Sequence, residues 1–310
     1  SMAEWEVGRR AFLCLLGFCY FVAFLSFYLQ APGLVGFDGI QPASLTVGRA
    51  LNQPWALMWR HRPAEIGVDL YMDMMALAGA LLSLLTAVGL GCVPMLGGCW
   101  ILYAALNAIG APFLPFQWDI LLLEVGALAL LVSPPLPLLA RHHASPSAVV
   151  TLRWCLFKLM FMSGVVKVQA NCPTWLGLTA LHYHYATQCL PTPLAWHAHQ
   201  LPNFAQKISV AGTFVIEIGL PFLFLLPWRS GRVFAANLNI ILMAAIMITG
   251  NYTYFNLLTI ALTLPALDDD SLVLRLLART LPTPPSTPKI PADPPTRATA
   301  APRDLAKSGG

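Results

Sequence analysis

The stretch from Arg153 to Pro202, RWCLFKLMFMSGVVKVQANCPTWLGLTALHYHYATQCLPTPLAWHAHQLP, opens as an apolar run long enough to cross a bilayer and ends as a loop of Trp, His, Tyr and Cys. Lys158 stands near the centre of that run and Lys167 near its end. An ammonium group at mid-bilayer depth is costly, so other parts of the chain must bring carboxylates to meet it.

Composition agrees with a membrane as the solvent. With 57% hydrophobic residues, 10% charged and a mean hydropathy of +0.66, the chain cannot cover itself with polar surface. A net charge of +4, thinly spread, gives no basis for binding nucleic acid. Cys14, Cys19, Cys92, Cys99 and Cys155 lie in or beside apolar runs and read as small core residues. Only Cys172 and Cys189 share a polar loop.

Working outward, apolar runs recur at Ala11–Leu29, Met74–Cys92, Pro94–Ile109, Trp118–Ser133, Ala148–Val168, Ile208–Leu226, Val233–Thr249 and Tyr254–Leu267. The first is long for the core of a signal peptide and has no small-residue cleavage pattern after it. The expected fold is all-α: a multi-pass transmembrane helical bundle of about eight spans, at roughly 20 residues each. Residues 1–10 form a cytosolic N-terminal segment and 11–267 the helical domain, with lumenal loops at about 30–73 and 169–207. Trp55 and Trp59 in the first loop suit the headgroup region. Residues 268–310 form a polar, Pro-rich tail whose composition predicts disorder. With the N-terminus cytosolic, Arg141 with His142 and His143, Arg229 with Arg232, and the tail also face the cytosol.

That topology predicts where the charges meet. Glu124, Lys158 and Glu217 each lie near the middle of a run, so they are expected at one depth as a buried cluster. Asp119 and Lys167 are expected near the lumenal edge as a second pair. The plainer role is fixing helix packing, and a proton or substrate path is the sharper one.

The lumenal loop carries His182 and His184 in HYHY, and His197 and His199 in WHAH. Such a pair on a strand could present both rings to a metal, but no acidic ligand accompanies them. Packing at an interface is the plainer reading, general acid–base work the other, and no metal or cofactor is assigned. Cys172 and Cys189 would form a disulfide if the loop faces an oxidising compartment. The Asn251-Tyr-Thr253 sequon is pinned between two runs and is expected to be unmodified. No nucleophile elbow, P-loop or dinucleotide fingerprint occurs, so no catalytic frame is supported.

Four blocks permit a family to be named. FQWDILLLEVG (116–126), FKLMFMSGVVK (157–167), the segment 172–202 and GNYTYFNLLT (250–259) together resemble the lipase maturation factor family. PGLVGFDGIQPA (32–43) is similar to its second paralogue. The resemblance implies a multi-pass endoplasmic reticulum membrane protein that helps secreted lipases, such as lipoprotein lipase, reach their folded, active form. It implies immature lipases and the bilayer as partners and no catalytic residues. It also implies a large lumenal C-terminal domain in family members, where this sequence diverges after about Leu267. Ala186 stands where the family pattern has an acidic residue. A more distant similarity to the helical domain of vitamin K-dependent gamma-carboxylase implies a lumenal-face enzyme as the alternative, with His182, His184 or Lys158 moving protons. A small-solute or proton transporter is the third.

Overall fold

A computed structural model describes residues 5–51, 57–136 and 144–281, and among them every regular element is helical. In chain order the helices are α1 (Glu6–Leu34), α2 (Ala43–Ala50), α3 (Leu57–Arg60), α4 (Val68–Leu85), α5 (Val93–Ile109), α6 (Gln117–Ala129) and α7 (Pro146–Gln169). After them come α8 (Pro173–Leu176), α9 (Ala180–His184), α10 (Pro193–His199), α11 (Asn203–Phe214), α12 (Arg229–Thr249), α13 (Phe255–Thr263) and α14 (Leu272–Ala278). A π-turn, Thr86–Leu90, prolongs α4 until Gly89 enters the left-handed region at φ 95°. A π-turn (Val215–Gly219) and a 3₁₀ turn (Leu220–Phe224) prolong α11.

Among the described residues, five helical segments are long and apolar enough to cross a membrane: Glu6–Leu34, Val68–Leu90, Pro146–Gln169, Asn203–Phe224 and Arg229–Thr249. This is fewer than the eight or so expected, because three apolar runs fold into shorter helices. Those are α5, α6 and α13 with its 3₁₀ turn. At 1.5 Å per residue α6 is about 20 Å long against a hydrocarbon core of about 30 Å.

α1 is the axis of the bundle. Its 29 residues span about 43 Å, and it packs against α4, α5, α6, α13 and α14. Phe12, Leu16, Tyr20 and Phe24 recur at helical spacing on its inner face and are fully buried. Gly17 lets the π-turn after α4 approach: a Cβ there would stand 2.6 Å from the Ala87 nitrogen. Trp59, expected at the headgroups, is instead buried and donates to the Ala105 carbonyl at 2.8 Å, because α3 folds back onto α5.

The chain does not leave the bundle at residue 267. Both oxygens of Asp269 accept from the first free amides of α1, Glu6 N (2.7 Å), Val7 N (3.0 Å) and Gly8 N (2.8 Å). A carboxylate there satisfies orphan donors and meets the positive end of the helix dipole. Arg232 donates to Asp268 at 3.0 Å, Arg229 pairs with Asp268 and Asp270, and Leu274 of α14 is buried. Residues 6–10 likewise belong to α1. The remaining Pro-rich stretch from residue 282, with Trp55, Arg141, His142 and His143, lies outside the described residues. Two ends result: an N-terminal end holding residues 5–9, 145–153 and 265–281, and a long-loop end holding residues 170–202.

Gly17→Val is expected to destabilise the protein by about 1–3 kcal/mol, because the opposing atoms are backbone that cannot repack. Gly97→Ala, which meets nothing within 4 Å, is expected to be neutral or to gain up to about 1 kcal/mol. Thermal unfolding of purified protein in one detergent checks both.

Candidate functional site

The residues with chemical potential gather toward the long-loop end. Lys167, in the last turn of α7, donates to Glu217 Oε2 at 2.6 Å and to the Ser163 carbonyl at 3.1 Å. Its ammonium also lies 5.2 Å from the Trp175 ring centroid, a cation–π contact. The side chains are only 20% and 6% exposed, so this is a desolvated ion pair.

Sequence reasoning paired Glu217 with Lys158, and the structure gives it a different partner for a local reason. Gly164 is where α7 meets the π-turn, since a Cβ there would fall 2.5 Å from Ile218 Cγ1 and 3.0 Å from Glu217 Cβ. That contact sets the register and brings Glu217 to the level of Lys167. Lys158 is six residues from Gly164, or about 9 Å along the axis. Glu217 sits inside the π-turn itself, a distortion common where a helix presents a functional side chain.

Lys158 pairs with Glu124 of α6. Both side chains remain partly exposed, 47% and 37%, so the pair lies on the outer surface of the bundle, where the bilayer is the solvent. Mutual neutralisation is what makes the position tolerable there.

Asp119 was expected beside Lys167 and is instead the centre of a phenol cluster. Only 1% exposed, it accepts at Oδ1 from Tyr103 OH (2.5 Å) and Tyr254 OH (2.9 Å), and at Oδ2 from Phe116 N (2.8 Å). The last bond closes the N-terminus of α6, which fixes the carboxylate at that level. The cluster borders a cavity of about 240 Å³ between the second half of α1, the 110–116 segment and Thr253–Tyr254.

The loop from 168 to 206 contains no Asp, Glu, Lys or Arg. Its HxH pairs lie on α9 and α10, not on strands. Residues two apart on a helix point about 200° apart, so neither pair can share a ligand. His182 Nε2 is 3.0 Å from Asn203 Oδ1, and His184 Nε2 is 3.0 Å from Tyr252 OH, with the two rings stacked at 6.2 Å. His197 lies edge-on to Trp196, and the buried Nδ1 of His199 has no hydrogen-bond partner among the described residues. Burial, and then the charge on Lys167, hold the His184 pKa below its usual 6.5. No three His, Cys, Asp or Glu side chains converge on a metal-sized site among the described residues.

Cys172 and Cys189 are free thiols, not the disulfide expected. Cys172 Sγ lies 3.0 Å from Thr174 Oγ1 at the start of α8, which turns it toward its own backbone, and Cys189 is exposed. Hydrogen bonds from the Thr174 hydroxyl and from the neighbouring amides lower the Cys172 pKa.

Sequence reasoning missed Tyr103, Tyr252, Tyr254 and Trp175. A hint was present, because a phenol within an apolar run needs a polar partner. The link after α12 works as a fork: Tyr252 reaches out to His184, Thr253 takes a positive φ of 52°, and Tyr254 reaches in to Asp119. Exposed Asn251 sits at its base and accepts from Thr253 N at 3.4 Å. Gln188 and Thr192 add bonds to the last carbonyls of α12, both at 3.0 Å.

Against known proteins, a family model described as the lipase maturation factor transmembrane domain matches residues 7–274. The chain is 45% identical over 282 residues to lipase maturation factor 2 of Xenopus laevis, covering 86% of this chain and 40% of that protein. It is 41% identical over 293 residues to the human protein of the same name, covering 87% and 41%. To mouse lipase maturation factor 1 it is 31% identical over 280 residues, covering 85% and 48%. The chain therefore spans less than half the length of these relatives. No solved structure matches.

Lys167→Met leaves Glu217 buried without its cation and is expected to cost about 3–5 kcal/mol. Lys158→Met, at the bundle surface, is expected to cost less, and unfolding of the two variants side by side checks the order. The His184 ring is expected to titrate below 6.5 by NMR. Because that folded value is depressed, its contribution to stability is complete above 6.5 and is lost as pH falls through the lower folded value.

Proposed function

The chain belongs to the lipase maturation factor family, and from that premise we propose that it is an endoplasmic reticulum membrane factor assisting the folding, assembly and maturation of secreted lipases such as lipoprotein lipase. The observation that carries the reading is the family match across residues 7–274, which covers, but for Glu6, the five described helical segments long and apolar enough to cross a membrane. The family name describes a maturation factor, and the role is that of a folding helper, not an enzyme.

In this reading the long-loop end faces the lumen. The N-terminal end carries Arg9, Arg10, Arg153, Arg229, Arg232, Arg275 and Arg279, the basic bias of a cytosolic face. The tyrosine fork and the bonds from Gln188 and Thr192 hold the charge-free loop against the bundle. That gives the lumenal face a fixed shape at the membrane surface. A client meeting it would find aromatic and imidazole groups and no formal charge between Lys167 and Lys207.

Complementation of a cell line deficient in lipase maturation tests the proposal. Full rescue of secreted lipase activity is expected from a chimera joining this chain to the remainder of the Xenopus laevis relative, and weaker rescue from this chain alone. An endoplasmic reticulum-resident chimera that leaves lipase secretion at the deficient level would overturn it.

A further inference from the structure

The short helices α6 and α13 begin below the long-loop end of the bundle. Tyr103, six residues before the end of α5, hydrogen-bonds Asp119 in the first turn of α6, so α5 rises about 9 Å past that level. α1 rises with it, lining the space from Val22 to Leu34. The result is the 240 Å³ recess, with Asp119, Tyr103 and Tyr254 at its floor.

Its chemistry is one-sided. Among the described residues no Lys, Arg or His lines it, and the partners of the Asp119 carboxylate are two phenols and one backbone amide. Six aromatic rings share the lining, those of Phe27, Tyr103, Phe113, Phe116, Trp118 and Tyr254. Aromatic faces carry negative potential and attract cations, most strongly when desolvated, and a buried carboxylate adds a full charge of the same sign. An anionic ligand would be repelled. A neutral apolar ligand would leave the carboxylate without a counter-ion. The volume exceeds the roughly 150 Å³ that accommodates benzene in an engineered cavity, yet it is below the range of about 300–1,000 Å³ usual for drug-sized ligands.

We propose that this recess binds a small organic cation, an ammonium group bearing apolar substituents, that enters from the long-loop side and places its charge over Asp119 within the aromatic lining. The proposal is independent of the lipase reading, since it rests on the recess alone.

The test uses the full chain purified in a maltoside detergent, which avoids choline-bearing detergents. Choline and its uncharged carbon isostere, neohexyl alcohol, are titrated by calorimetry. Choline is expected to bind at least about tenfold more tightly, equivalent to about 1.4 kcal/mol. Asp119→Asn, which keeps an oxygen to accept from Phe116 N, is expected to bring the two ligands to parity. Ser26→Phe, which fills the recess from α1 without touching the floor, is expected to abolish binding of both with the melting temperature retained. Equal binding of the two ligands to the unaltered protein, no saturable binding of either, or a preference that survives in folded Asp119→Asn or Ser26→Phe protein would each overturn the proposal.

Discussion

The structure depends on neutralising charge inside a low-dielectric slab. A chain that is 57% hydrophobic and sends lysines into its spans can fold only where carboxylates reach them. The Lys167–Glu217 pair is the most demanding case, because it is more buried than the Lys158–Glu124 pair and joins α7 to the π-turn after α11. Gly164 makes the approach possible, the π-turn presents the carboxylate, and Trp175 covers the ammonium. From that junction α7 passes into the loop that shapes the long-loop end.

Asp119 solves the same problem with no cation among its described partners. Two phenols and an amide spread its charge, and the phenols come from α5 and from the turn that opens α13, so the carboxylate fastens α5, α6 and the start of α13 together. Through Tyr252 and Tyr254, two residues apart, this inner centre and the outer loop share one link. At the other end Asp268, Asp269 and Asp270 tie the chain after α13 to α1 and α12. Each end is thus closed by carboxylates that accept from groups distant in sequence, as expected where a bilayer leaves few other donors.

Much of this was legible before any coordinates, though unevenly. Composition and apolar runs indicated a helical membrane bundle, because hydropathy reports solvent directly. The pairing of Glu124 with Lys158 follows from two antiparallel neighbours with charges at mid-run. The partner of Glu217 was hidden, since it depends on a glycine contact and a local change of helical pitch that hydropathy does not encode. The partners of Asp119 were hidden because Tyr103, on the preceding helix, and Tyr254, 135 residues away, carry no formal charge for a depth argument to pair. The prolines among the histidine pairs argued for irregular structure, while Thr192 followed by Pro193 already signalled a helix start. The extension of the bundle past residue 267 was obscured by the Pro-rich composition that follows it.

The central claim is that Lys167 and Glu217 neutralise one another across the α7 junction. Reversing the pair tests it most directly: Lys167→Glu and Glu217→Lys, singly and together, with the yield of monodisperse protein from membranes as the readout. The account predicts that each single reversal, which places two like charges side by side, drastically reduces the folded yield, and that the double reversal recovers a large part of it. A double reversal no better than the worse of the two single variants would contradict the account.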